Sequence, residues 1–351
     1  MIRVLICEDS PTSRALMIHI LNSDPEMRVV GTVNNGEAAI SAVIDKKPNI
    51  VMMDVHMPKM DGFEATRRIM NTSPLPIIIV SSTLNDQAIG TFNALEAGAL
   101  AFIQHPPAID HPDHLSVVKD LLLMIRLMSE IKVVRRWVNR DQLTSTQRIE
   151  KSTDIKLAQD EVKLIAIGAS TGGPIVLQSI LSAIAPDLTC PVLIVQHIAP
   201  GFVEGLAELL GSCGLPIHIA TDAELMLPGH VYIAPEDWHM GIDRKGKIKL
   251  DNSVSEHGMR PSVSHLFRSV ANVAGSSAIG ILLTGMGRDG AEELKLMRDQ
   301  GALTIAQDEQ SSVVYGMPGE ASRLDAADHV LPPSSIATML NQLFKNEKRK
   351  S

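Results

Sequence analysis

Short β-rich runs alternate with helix-patterned segments along this chain, and that alternation constrains the fold more than any other feature. In the first third the strand candidates are Arg3–Cys7, Arg28–Val33, Ile50–Asp54, Ile77–Ser81 and Ala101–Ile103. Helical segments lie between them at Ser13–Asn22, Gly36–Lys46, Gly62–Met70 and Gln87–Ala97. Repeated βα units imply a parallel sheet covered on both faces. A long amphipathic stretch, Asp113–Asn139, follows with Leu115, Val118, Leu122, Ile125 and Met128 at helical spacing. The pattern then dissolves into the polar segment Arg140–Glu161. A second series begins beyond it, with strands at Lys163–Ile167, Val192–Gln196, Ile217–Ile219, His230–Ile233, Ala278–Thr284, Leu303–Ala306 and His329–Val330. A chain of 351 residues is long for one core. The expected architecture is therefore α/β, with two doubly wound, mainly parallel-sheet domains at 1–125 and 161–348, joined by a helical and polar linker over 126–160.

Composition narrows the function classes. A net charge of −8 argues against a nonspecific nucleic-acid surface, which is usually basic. The three cysteines, Cys7, Cys190 and Cys213, lack the spacing of a disulfide framework or a zinc site. The chain opens on the strand-like run MIRVLICED, without a signal-peptide pattern, and no apolar stretch reaches membrane-spanning length. A cytoplasmic protein without direct membrane insertion is expected.

In an open parallel sheet, ligands gather at the C-terminal ends of the strands. Glu8 and Asp9 close the first strand of the first domain, Asp54 the third and Ser81 the fourth. Such a carboxylate cluster suits a hard cation such as Mg²⁺, which could hold a phosphoryl group against Asp54. With MPKMDG downstream of Asp54, residues 1–125 resemble a response-regulator receiver domain. That resemblance implies a flavodoxin-like sheet with Asp54 as phospho-acceptor and Glu8 and Asp9 assisting a Mg²⁺ site. Ser81 matches the switch hydroxyl and Phe102 the coupled aromatic. Receivers usually carry a lysine before the proline after the last strand; AFIQHPP places His105 there. A histidine of ordinary pKa is mostly neutral at pH 7, so phosphoryl chemistry can survive while its readout weakens.

The second domain opens with LIAIGASTGGPIVL, an apolar run, a glycine-rich turn and a helix start. A turn of this kind either cradles a phosphate on backbone N–H groups or presents a nucleophilic serine. The dinucleotide pattern G-x-G-x-x-G fails here, no acidic residue follows near position 190, and no lysine completes a P-loop. Gly168-x-Ser170-x-Gly172 does match the glycine pattern of a nucleophile elbow. A serine needs a base and the base an orienting group. His197 follows the next strand, and Asp289 lies in the glycine-rich turn after AIGILLT. His239, after YIAPEDW, competes with His197 for the base, or for a contact at the substrate rim.

The motifs IAIGASTGGP, QHIAPGF, YIAPEDWHM, RPSVSHLFRSVA, LLTGMGRDGA and AQDEQSSVVYGMPGEA closely resemble the chemotaxis-type protein-glutamate methylesterases, the CheB family. The likeness spans essentially the whole chain and implies a Rossmann-like catalytic domain. It implies Ser170 as nucleophile, His197 as general base and Asp289 as its orienting partner. Thr171 and the backbone N–H of Met286 are implied in substrate or oxyanion binding. The implied substrates are glutamate γ-methyl esters on chemoreceptors, with glutamine deamidation as a second activity and no cofactor for either. A chemotaxis-type histidine kinase is the implied phosphodonor. The expected regulation has the receiver lying over the Ser170 site and loosened when Asp54 is phosphorylated. Two rivals stay open: an adaptor with a spent site, and an oxidoreductase holding a dinucleotide on the Gly168 turn.

Overall fold

A computed structural model describes residues 1–81, 97–112, 114–129, 162–184, 188–198 and 201–347. These fall into two compact units, the first ending within the described chain at Ser129 and the second resuming at Val162. Most of the expected linker, and all but the last residue of the helix expected at Gln87–Ala97, lie outside the described residues.

The first unit holds a five-stranded parallel sheet: β1 Ile2–Cys7, β2 Met27–Val33, β3 Ile50–Asp54, β4 Ile77–Ser81 and β5 Ala101–Gln104. Its spatial order is β2-β1-β3-β4-β5. The direction of winding changes between β1 and β3, so the ends of those two strands flank the crevice where such sheets bind ligands. Every residue of β3 is buried, as expected for a central strand covered on both faces. The helices between strands begin on side-chain caps. Ser10 accepts from the Ser13 N–H ahead of Pro11–Asn22, Asn35 from Ala38 ahead of Gly36–Lys46, and Asp61 from Glu64 ahead of Gly62–Thr72. The amphipathic stretch after the sheet forms the helix His114–Ser129, burying Leu121, Ile125 and Met128.

The second unit is built on β6 Leu164–Ala169, β7 Val192–Gln196, β8 Ile217–Ile219, β9 Val231–Ile233, β12 Ala278–Leu282, β13 Leu303–Gln307 and β14 His329–Leu331. All pairings are parallel, in the order β14-β13-β12-β6-β7-β9-β8. From β6 the chain winds outward through β7 to β9 and β8, then returns to the other side of β6 with β12. The switch point therefore lies between β6 and β12. The sequence reading did not foresee an antiparallel pair, β10 His239–Ile242 and β11 Ile248–Asp251. Its strands are four residues each and are joined by a charged turn, DRKGK, too short and polar to register as a strand pattern. Among the described residues, no helix is long and apolar enough to cross a membrane.

Candidate active site

Three adjacent strands carry the residues singled out in the second unit. Ser170 follows β6, His197 follows β7 on one side, and the turn after β12 on the other side holds Asp289. The backbone locks these ends in register. The Ser170 N–H donates to Thr284 O at 3.0 Å, and the His197 N–H to Ala169 O at 2.9 Å. Ser170 is buried, at 8% exposure. Two glycines make its turn possible. Gly172 has φ +80°, where a side chain is strained, and a Cβ there would stand 2.5 Å from Val313. A Cβ on Gly285 would stand 2.6 Å from the Ser170 Cβ, so the turn after β12 lies directly against the serine.

His197 Nε2 lies 2.8 Å from Asp289 Oδ2, and both side chains are nearly covered. Asp289 takes three further hydrogen bonds. The Ser262 hydroxyl donates to Oδ1 at 2.9 Å, the Ser264 N–H to Oδ1 at 2.9 Å and the Val263 N–H to Oδ2 at 2.7 Å. The Val263 and Ser264 groups belong to the first turn of the helix Val263–Ala274, whose dipole favours an anion. Burial pushes the Asp289 pKa up, but hydrogen bonds from His197 and Ser264 outweigh it and hold the carboxyl well below the usual range. An ionised Asp289 makes Nε2 the protonated ring nitrogen of His197. Nδ1 is then the free lone pair, and it is buried with no hydrogen-bond partner. Among the described residues, no hydrogen bond joins the Ser170 hydroxyl to His197.

Among the described residues, the backbone N–H groups of Thr171 and Met286 have no acceptor. Both flank Ser170, one within its turn and one just past Gly285. Met286 is 38% exposed, so this edge of the site opens to solvent.

His239 is not placed as a base. It is fully buried, its Nδ1 accepts from the Ser262 N–H at 3.2 Å, and its Nε2 donates to Val254 O at 3.1 Å. Both nitrogens are thus occupied in holding the segment that carries Ser262 to Asp289. Sequence reasoning missed that clamp, although RPSVSHLF carries Ser262 as an N-cap for the helix that follows. It also missed Gln196, whose buried amide donates to Ser170 O at 2.8 Å and to His197 O at 2.7 Å.

In the first unit, Glu8 and Asp54 are both buried, and Asp9 is exposed beside them. Ser10 donates its N–H to Glu8 Oε1 at 2.9 Å, while Glu8 Oε2 lies 2.8 Å from His105 Nε2. Glu8, Asp54 and His105 offer ligand atoms all within 4.8 Å of one another. Burial, then the Glu8 charge, push the Asp54 pKa up to about 6, with His105 pulling the other way. Two crowded, buried carboxylates are the donor set a divalent cation requires, so these residues fit the Mg²⁺ expected of them. Ser81 ends β4 and Phe102 lies within β5; their side chains are outside the described residues.

Comparison with known proteins places both units. Residues 165–340 match the family model of the CheB methylesterase, and residues 4–115 that of the response regulator receiver domain. A protein-glutamate methylesterase/protein-glutamine glutaminase of Nitrosospira multiformis is 48% identical, over 98% of this chain and 97% of the relative. A second protein of that name, from Syntrophus aciditrophicus, is 48% identical over 98% of each chain. The crystal structure of the Thermotoga maritima CheB methylesterase catalytic domain shares 37% identity at a TM-score of 0.50, covering 52% of this chain and all of that one. With a catalytic-domain model over half its length and relatives that align from end to end, this chain belongs to the receiver-bearing CheB methylesterase family.

Proposed function

We propose that this chain is a protein-glutamate methylesterase and protein-glutamine glutaminase acting on chemoreceptors, controlled by phosphorylation of its first domain. Residues 1–125 serve as the receiver, 126–160 as the linker and 161–348 as the esterase. The observation that carries the esterase reading is the fourfold clamp on Asp289, which fixes the tautomer of His197 beside the Ser170 turn.

In this reading Ser170 Oγ attacks the γ-ester carbonyl carbon while His197 Nδ1 takes the hydroxyl proton. Asp289 stabilises the imidazolium through Nε2–H. The tetrahedral oxyanion is held by the N–H groups of Thr171 and Met286, which need no reorganisation to receive it. Collapse expels methanol, which leaves with the proton from His197. Water then attacks the acyl-enzyme, again giving its proton to Nδ1; collapse of this second tetrahedral intermediate returns that proton from Nδ1 to Ser170 Oγ and frees the glutamate side chain. On a glutamine the same steps release ammonia. No step calls for a cofactor.

In the receiver, Asp54 accepts the phosphoryl group from a chemotaxis-type histidine kinase. Glu8, Asp9 and Asp54 would hold Mg²⁺, which would supply neutralising charge for the phosphoryl oxygens. Ser81, Phe102 and His105 carry the change outward to the esterase.

The test incubates the full chain with methylated chemoreceptor membranes and follows methanol release and γ-carboxylate formation by mass spectrometry. Release, accelerated by an acyl-phosphate donor with Mg²⁺, is expected. A folded chain that releases no methanol from these membranes contradicts the reading and favours the adaptor.

A further inference from the structure

The acidic pocket of the first unit contains a nitrogen ligand. We propose that His105 adds a nitrogen ligand to the Glu8 and Asp54 cation pocket, raising its affinity for a divalent first-row transition cation such as Co²⁺ or Zn²⁺ while leaving that for Mg²⁺ nearly unchanged. The inference rests on the reading of Glu8 and Asp54 as a cation site and adds its third ligand.

Geometry supports it first. The three ligand atoms lie within 4.8 Å of one another, and His105 Nε2 stands 2.8 Å from Glu8 Oε2. Adjacent ligands of an octahedral ion with bonds of about 2.1 Å stand about 3 Å apart, and opposite ones about 4.2 Å. The pocket is therefore already close to the size of a coordination shell. It is also preorganised. The Ser10 N–H holds Glu8 Oε1 and turns Oε2 toward the imidazole, and the His105 side chain is only 11% exposed.

Chemistry then selects the ion. Mg²⁺ favours oxygen ligands and sheds water reluctantly, so an imidazole adds little for it. Imidazole suits Co²⁺, Ni²⁺ and Zn²⁺, whose affinities for a mixed nitrogen and oxygen site also exceed those of the earlier metals. The two carboxylates supply the charge, and the nitrogen supplies the preference.

The experiment titrates the full chain with Co²⁺ and, separately, Mg²⁺ by calorimetry, for the wild type and for His105→Gln, which removes the nitrogen without adding charge. Wild type is expected to bind Co²⁺ at least about tenfold more tightly than His105→Gln does. Mg²⁺ affinity should agree within about twofold between the two. Proton NMR of the Co²⁺-loaded wild type should show one paramagnetically shifted imidazole that is missing from the variant. Glu8→Gln should weaken both ions. Equal Co²⁺ affinity in wild type and His105→Gln, or an equal loss for both ions, overturns the proposal while leaving the phosphoryl site intact. A wild type that binds neither ion at this pocket overturns both readings.

Discussion

His197 gives Nε2 to Asp289 at 2.8 Å and keeps a buried Nδ1 with no hydrogen-bond partner. The ring thus meets its carboxylate through the nitrogen opposite to the one used in the serine-protease arrangement, where Nδ1 faces the carboxylate. The reversal follows from where the acid sits. Asp289 is fixed at the start of the helix Val263–Ala274, on the far side of β6 from β7, and the ring reaches it with its distal nitrogen.

Each Asp289 oxygen faces two donors. In Asp289→Asn, either orientation of the amide sets its NH₂ against N–H or O–H donors. Turnover of ester should fall about 10³- to 10⁴-fold, because the imidazole loses its enforced tautomer. Stability at pH 7 should fall by about 3 kcal/mol by denaturant unfolding. The pH sign follows from the lowered pKa. Asp289 contributes fully above its ordinary value of 3.8, and that contribution is lost only as pH falls below it. The gap between wild type and variant should therefore hold from pH 8 to about pH 5 and narrow only in stronger acid.

Ser262 caps a helix and donates to Asp289 with the same hydroxyl. Ser262→Ala should cost about 1–2 kcal/mol of stability. It should lower kcat by about tenfold, the equivalent of one such hydrogen bond, with KM nearly unchanged. An unaltered kcat would remove the serine from its positioning role.

His239 distinguishes a structural histidine from a base. His239→Ala leaves the buried Ser262 N–H without its acceptor and opens a cavity, so unfolding should come about 2–4 kcal/mol earlier. The pH dependence of kcat/KM should keep its wild-type midpoint, since both His239 nitrogens are held in hydrogen bonds away from Ser170. A shifted midpoint would reopen the choice between the two.

Asp54 is held near Glu8 in a buried pocket that resists its charge. Asp54→Asn removes that repulsion and should raise the melting temperature of the first unit in chelator at pH 8 by about 2–4 °C. The variant should also incorporate no phosphate from a small acyl-phosphate donor with Mg²⁺. Phosphate incorporation by Asp54→Asn would move the acceptor elsewhere.

Much of this was readable in the sequence because apolar runs specify buried strands directly. Val192–Gln196 and Ile50–Asp54 have the extents expected, and Ser170, His197 and Asp289 do follow neighbouring strands. The strand before Asp289 stops at Leu282 instead of continuing to Thr284. There the chain leaves the sheet, and the Thr284 N–H pairs with the Gln307 side chain. What the sequence could not disclose is the clamp on Asp289. Two of its four donors are backbone N–H groups, which leave no residue signature, and the ring nitrogen facing the acid depends on distances no spacing encodes. His105 was legible as a departure from the receiver pattern, but its contact with Glu8 was not.

Ser170 is the proposed nucleophile of the esterase. The most direct measurement of that role is the rate of methanol release from methylated chemoreceptor membranes by wild type and by Ser170→Ala, with folding of the variant checked by circular dichroism. A fall of at least about 10³-fold is expected. Equal release by the two proteins would remove Ser170 from the nucleophile's role.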